Sequence, residues 1–219
     1  MKQSIEAVLL DHSRAVLALK DHLPTIHRII HLMETALKSE HRIFIFGNGG
    51  SAADANHFAA ELAGRFAIKD RKGLPVFSLL ANSSTLTAIA NDFGYEYLFS
   101  RQIEAHAEKA DVIVGITTSG KSKNIINALE MGRRLECVTI ALTGRSVEAL
   151  SQCADVILPV DSLDTPRIQE VHTLLLHIIA EYVESRCFTS STNFFSKTNY
   201  NPNVAISPPG SISDDLGTL

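Results

Sequence analysis

The sequence predicts an α/β fold: a parallel sheet covered by helices on both faces and preceded by a helical hairpin. Three observations carry this expectation. Residues 1–40 repeat apolar side chains at helical spacing, the chain from Arg42 onward alternates short β-rich runs with helical stretches, and one long amphipathic helix closes the pattern. Strands that alternate with helices are joined by crossovers, which lay helices on both faces of a parallel sheet. A chain of 219 residues is enough for one large core.

In the hairpin, Ile26, Ile29, Ile30, Met33 and Leu37 follow the i, i+3, i+4, i+7 pattern. Pro24 stands where a second helix would start, a position that tolerates its missing N–H. Strands are expected at residues 42–46, 75–80, 111–117, 137–143 and 156–161, with helices at 52–66 and 123–135 behind the first and third. The final helix is expected at 165–186, opened by Pro166 and striped by Ile168, Val171, Leu175, Ile178, Ile179 and Tyr182. From Phe188 onward, 19 of 32 residues are Ser, Thr, Asn, Pro or Gly without a sustained period, which predicts a disordered tail. The expected organisation is therefore a single domain at 1–187, with the hairpin at 1–40 and the tail at 188–219. Within the tail, Phe194, Phe195 and Tyr200 are candidate docking residues, and no internal repeat is evident.

Twenty basic side chains against 24 acidic ones give a net charge of -4, so no diffuse basic field is available to hold nucleic acid or an anionic membrane surface. Any bound anion needs a local site. Glu6 and Asp11 interrupt what would have to be the apolar part of a signal peptide, and no apolar run approaches the ~18 residues of a spanning helix. Cys137, Cys153 and Cys187 are odd in number and form no Cys-x-x-Cys pair, the pattern of reduced thiols in a cytoplasmic protein.

Ligands of a parallel α/β sheet bind at the carboxyl ends of its strands, which directs attention to two turns. The first strand ends in Gly47-Asn48-Gly49-Gly50-Ser51, and the third in Thr117-Thr118-Ser119-Gly120-Lys121-Ser122. Glycines let the backbone turn sharply, the free N–H groups of a helix start point at anions, and Ser119 and Ser122 add hydroxyl donors. Without a ligand, the second turn is a Ser/Thr-rich helix cap.

Both turns imitate other motifs. Gly47 to Ala52 satisfies G-x-G-x-x-A, but the next strand ends Leu79-Leu80-Ala81-Asn82, without the acid that a dinucleotide site places on ribose. Gly115 to Ser122 satisfies G-x-x-x-x-G-K-S, and Asp161 stands where a Mg²⁺-associated acid would be sought. That nucleotide-binding alternative expects a full sheet after the loop, whereas only two strands follow, and Ile116 fits a strand end better than a loop.

The helix behind the first turn carries His57 and Glu61 four residues apart, on one face, and Arg65 continues that face by a further turn. In the final helix Gln169 and His177 are eight apart, close to two turns. Two imidazoles, a carboxylate and an amide oxygen suit Zn²⁺ or a similar divalent ion. His27 and His31 have the same spacing as His57 and Glu61 but no glycine-rich turn beside them, so they read as surface or interface residues. His172, five from His177, faces elsewhere and reads as packing or support.

Taken in order, Gly47-Asn48-Gly49-Gly50-Ser51, His57-Phe58-Ala59-Ala60-Glu61-Leu62, Asn91-Asp92-Phe93-Gly94, Thr117 to Ser122 and Arg167-Ile168-Gln169-Glu170-Val171-His172 resemble the sugar-isomerase (SIS) domain family and, within it, the phosphoheptose isomerase family. The resemblance covers residues 1–187. It implies a five-stranded parallel sheet between helices and a homotetramer with shared active sites. The implied activity is conversion of D-sedoheptulose 7-phosphate to D-glycero-D-manno-heptose 7-phosphate for bacterial surface polysaccharides. It further implies that Asn48, Gly49, Gly50, Ser51, Thr117, Thr118, Ser119 and Ser122 bind substrate, mostly at its phosphate, and that Arg65, Asn91 and Asp92 also contact it. His57, Glu61, Gln169 and His177 would hold one Zn²⁺ per subunit, with Glu61 and Gln169 also touching substrate.

Moving a carbonyl between C2 and C1 through an enediol requires two proton-transfer groups, for which Glu61 is the candidate base and His177 the candidate acid. Lys121 stands where relatives commonly have Asn, and the tail has no counterpart in the family pattern. The rival of another class is a non-catalytic regulator of the same fold that binds the bacterial replication initiator. In such relatives the acid of the His-x-x-x-Glu pair is typically replaced, and here Glu61 and His177 are both present.

Overall fold

Residues 4–188 are described by the structure, a computed structural model. Phe188, the first residue of the predicted tail, instead ends the last helix, and residues 189–219, with Phe194, Phe195 and Tyr200, lie outside the described residues. Ser4 accepts the N–H of Ala7 and caps α1 (Ile5–Ala18), and a 3-10 turn at Leu19–His22 leads into α2 (Leu23–Lys38), with Pro24 in its first turn. α2 buries Ile26, Ile29, Ile30, Met33 and Leu37, the stripe that its periodicity predicts. α1 buries only Ala15 and leaves Ile5, Leu9, Leu10 and Leu17 exposed.

Five parallel strands follow: β1 (Ile43–Gly47), β2 (Val76–Ser78), β3 (Val112–Thr117), β4 (Val138–Thr143) and β5 (Val156–Pro159), in the order β2-β1-β3-β4-β5. α3 (Gly50–Ala63) joins β1 to β2, α4 (Ser83–Asp92) and α5 (Ser100–His106) lead to β3, α6 (Lys123–Arg134) joins β3 to β4, and α7 (Thr165–Phe188) follows β5. Successive strand residues point to opposite faces. Ile43, Ile45, Val114 and Ile140 therefore join a core with α2, α3 and α7, while Phe44, Phe46, Ile113 and Ala141 join a second core with α5 and α6. Both faces are covered, as the apolar runs predict. Among the described residues, no helix is long and apolar enough to cross a membrane.

The chain leaves β1 toward β2 but leaves β3 toward β4, although β1 and β3 are neighbours. Strand order reverses there, and in sheets of this kind the ligand crevice lies at the carboxyl ends of the two strands flanking the reversal. Gly47 is paired in register with Ile116, so the two predicted turns stand side by side.

Several boundaries differ from expectation by a few residues, and one of them bears on the site. α3 ends at Ala63 rather than at 66, and Gly64 turns the chain away. Arg65 therefore does not continue the face of His57 and Glu61; it is exposed, beyond the helix.

Candidate active site and metal centre

The first turn reverses tightly because its glycines permit it. A Cβ on Gly47 would come within 2.6 Å of the Ser51 carbonyl oxygen, and Gly49 has φ +58, a left-handed conformation that favours glycine. Ser51 is buried in the first turn of α3, its N–H bonded to the Asn48 carbonyl. A Cβ on Gly50 would lie 2.5 Å from Gln169 Nε2, so this glycine admits the amide of α7 against the start of α3.

In the second turn, Thr117 Oγ1 lies 3.2 Å from Ser122 Oγ and 3.4 Å from Ser119 Oγ, and accepts the N–H of Gly120. Ser119 Oγ accepts the N–H of Lys121. Thr118 packs its carbonyl against Gly144, where a Cβ would come within 2.5 Å. Ser122 stands at the N-cap of α6, yet its side chain makes no capping bond and pairs with Thr117 instead. Hydroxyls that satisfy one another beside a helix start can be redirected to an anion.

The nucleotide-loop alternative fails on this geometry. Gly115 and Ile116 lie inside β3, with Gly115 making room for Ile125 and Leu129 of α6, so the turn is too short for the motif. Asp161 is held by Arg145 at 2.8 Å.

The two turns are joined by a reciprocal amide pair. Asn48 Nδ2 donates to Asn124 Oδ1 at 3.0 Å, and Asn124 Nδ2 donates back to Asn48 Oδ1 at 2.9 Å. The Tyr95 hydroxyl also donates to Asn48 Oδ1, at 2.8 Å. Asn91 donates to Asp92 at the end of α4, and the segment they open is tied to the crevice by Tyr95 three residues on.

α3 and α7 bring together the groups that spacing singled out. His57 Nε2 lies 3.0 Å from His177 Nε2 and 3.3 Å from Glu61 Oε1, and His177 Nε2 lies 3.6 Å from the same oxygen. Glu61 Oε2 is buried without a hydrogen-bond partner. Among the described residues this is the cluster of His, Cys, Asp or Glu able to hold a metal ion. His27 and His31 lie exposed on α2, outside it.

Several supporting residues escaped the sequence reading. Asp54, one turn before His57, accepts a 2.8 Å bond from the Thr173 hydroxyl, one turn before His177. Burial raises the Asp54 carboxyl above its ordinary pKa, although Thr173, His57 and His177 pull the other way. His172, by contrast, was read from its spacing as packing or support, and it is fully buried and bonds the Thr143 carbonyl through Nε2 at 3.2 Å, packing α7 against the end of β4. The helical spacing of Asp54 and Thr173 from the two histidines was a usable signal; Tyr95 and Asn124 offered none, because their partners lie far along the chain.

Comparison with known proteins places the chain in a family. A family profile for the SIS domain matches residues 12–144. Phosphoheptose isomerase from Helicobacter hepaticus is 44% identical over 187 residues, covering 85% of this chain and 95% of that one. Its counterpart from Citrifermentans bemidjiense is 46% identical over 189 residues, covering 86% and 98%. Among solved structures, phosphoheptose isomerase from Neisseria gonorrhoeae matches with a TM-score of 0.77 at 37% identity, covering 83% of this chain and 97% of that one. A phosphoheptose isomerase from Francisella tularensis matches at 0.79 and 31%, covering 83% and 96%. With the crevice, the histidine pair and these likenesses in agreement, the chain belongs to the SIS domain family and, within it, to the phosphoheptose isomerases, which are aldose–ketose isomerases.

Proposed function

We propose that the chain converts D-sedoheptulose 7-phosphate to D-glycero-D-manno-heptose 7-phosphate through an enediol, in the cytoplasm, for bacterial surface polysaccharide. The observation that carries this reading is the convergence of Glu61 and His177 from two helices beside the glycine turn. The phosphate is assigned to the turn Thr117 to Ser122, where hydroxyls and the start of α6 supply donors. Asn48, Gly49, Gly50, Ser51, Asn91 and Asp92 are assigned to the sugar, and the exposed Arg65 to a further substrate contact. Glu61 takes the proton from C1 of the ketose, and His177 supplies a proton on the other side of the enediol.

The residues present fit a divalent ion. Ligands about 2.0–2.1 Å from a tetrahedral Zn²⁺ stand roughly 3.3 Å apart, and the three measured separations run from 3.0 to 3.6 Å. The orphaned Glu61 Oε2 is costly in a buried carboxylate unless something binds it. His57, Glu61 and His177 would hold the ion, with Gln169 as the fourth, weak ligand that yields to substrate. Bound there, Zn²⁺ supplies polarisation of the carbonyl and of the enediolate oxygen.

A homotetramer with shared sites belongs to the same proposal; the exposed apolar row Ile5, Leu9, Leu10 and Leu17 on α1 supports association. The regulator reading is not favoured, because Glu61 is present and faces both histidines. Incubating metal-loaded protein with sedoheptulose 7-phosphate and following the sugar by NMR tests the proposal. Appearance of the heptose aldose is expected. No turnover, together with capture of the replication initiator in a pull-down, would sink it.

A further inference from the structure

A second polar cluster lies between the end of α3 and α7, outside the residues assigned above. Arg71 and Glu184 each have a side chain only 1% exposed. Arg71 Nε donates to Glu184 Oε1, its NH1 donates to the Lys72 carbonyl at 3.0 Å, and its NH2 donates to the carbonyl of Glu61 at 2.7 Å. The Glu184 carboxylate also accepts three successive backbone N–H groups, from Phe66, Ala67 and Ile68, at 2.9, 2.7 and 2.9 Å. Burial alone would raise the Glu184 carboxyl, yet Arg71 and these amides outweigh it and hold the group below the usual carboxylate range.

A buried ion pair is a poor way to add stability, since apolar residues of equal volume often serve as well. This pair does something that apolar residues cannot, which is to fix directions. The last four carbonyls of a helix lack partners within it, and Glu61 supplies one of them in α3. Arg71 takes that carbonyl, so its guanidinium holds the main chain of the very residue whose side chain meets the histidines. The same carboxylate holds Phe66, whose ring centroid is 6.2 Å from that of His177. Glu184 lies seven residues beyond His177 in α7, two turns along nearly the same face.

We infer that Arg71 and Glu184 are positioning residues that set the distance between Glu61 and His177, an inference that rests on the isomerase reading above. Neither touches substrate. Both act through the backbone of Glu61 and the seat of α7.

The test uses the full zinc-loaded chain as Arg71→Lys, Glu184→Gln and Glu184→Asp, beside wild type and Ile103→Ala. Ile103 is buried in the other core, across the sheet, so its truncation destabilises without reaching the site. The readings are kcat, KM for sedoheptulose 7-phosphate, zinc content and the urea midpoint. Supporting residues one step removed from a ligand typically contribute 10- to 100-fold. The expected result is a kcat lower by about that factor in Arg71→Lys and Glu184→Gln, with KM nearly unchanged and zinc fully retained at saturation. Ile103→Ala should keep the wild-type kcat despite a lower urea midpoint.

Folded, zinc-replete Arg71→Lys or Glu184→Gln with wild-type kcat overturns the inference, as does an equal loss in Ile103→Ala. Should both fail to fold, Glu184→Asp, which keeps the charge but shortens the arm, gives the reading, and an unchanged kcat overturns the inference there too. Wild type that binds zinc without isomerising the sugar sinks the isomerase reading instead. In that case the zinc dissociation constant decides: a 10- to 100-fold rise in Arg71→Lys is expected, and an unchanged constant overturns the positioning role.

Discussion

The Thr173 hydroxyl of α7 donates to Asp54 Oδ1 of α3 at 2.8 Å, one turn ahead of His177 on one helix and of His57 on the other. With Arg71 and Glu184 beyond the opposite end, the α3–α7 seam is tied on both sides of the candidate ligands. Thr173→Val leaves a half-buried carboxylate oxygen without its donor and is expected to lower stability by about 1 kcal/mol, read as a shift in urea midpoint. It should also speed loss of metal to a chelator. Thr173→Ser keeps the hydroxyl and should preserve both properties; equal behaviour of the two variants would refute the role of this bond.

Metal content distinguishes identical spacings in different surroundings. His57→Ala should lower the divalent ion below about one per subunit, because it removes one of three converging donors. His27→Ala, exposed on α2, should leave it unchanged. Elemental analysis of dialysed protein settles the matter, and equal loss in both variants would dismiss the assigned site.

Glu61→Gln keeps the size of the side chain but not its capacity to take a proton. A kcat lower on the order of a thousandfold is expected, with substrate binding largely retained. Metal must be measured on the same sample, since a lost ion would imitate a lost base. In D₂O the wild type should place deuterium on carbon and Glu61→Gln should not. Near wild-type exchange by the metal-replete variant would move the base elsewhere.

For the anion turn, the double variant Ser119→Ala, Ser122→Ala removes two hydroxyls from a phosphate dianion and leaves Glu61 and His177 in place. KM for the sugar phosphate should rise at least tenfold, about the value of one charge-assisted hydrogen bond, while kcat changes much less. Steady-state kinetics read both constants, and an unaltered KM would place the phosphate elsewhere.

His172 makes stability depend on pH. Burial pushes its imidazole down to about 4 from 6.5, and the bond to Thr143 only partly opposes this. The unfolded chain takes up this proton below about pH 6.5, whereas the folded chain resists until about pH 4. The contribution is therefore complete above pH 6.5 and disappears as pH falls toward 4, with a total on the order of 3 kcal/mol. Urea unfolding at pH 7.5, 5.5 and 4.5 should show His172→Gln losing less stability than wild type across this range. Parallel losses would mean that His172 does not carry the effect.

The strands were legible because a parallel strand buried on both faces leaves a short, almost wholly apolar run; residues 42–46 foretell Ile43–Gly47 with a shift of one. α4 left no such trace, since it buries no residue fully and so has no apolar stripe to read. The end of α3 was misplaced because the amides of Phe66, Ala67 and Ile68 are taken by Glu184, more than a hundred residues away. In the site, His57 and Glu61 were visible from their four-residue spacing and Gln169 and His177 from their eight-residue spacing on the last helix, and the resemblance joined the two pairs into one site. Arg71, Tyr95 and Asn124 were not, because a side chain that bonds the carbonyl or amide of a distant residue imposes no periodicity on its own segment.

α7 comes last in the described chain, yet it packs against α1, α2 and α3, which come first. On a ribosome, Phe188 is made about 150 residues after Lys38 closes α2, a delay of roughly 8 to 30 s at ordinary rates of synthesis. Throughout that interval the apolar stripe of α2 has no α7 to cover it, and His57 waits for His177. A nascent chain in this state is a natural client for holding chaperones, and truncation anywhere before α7 removes the candidate active site along with the cover of the core.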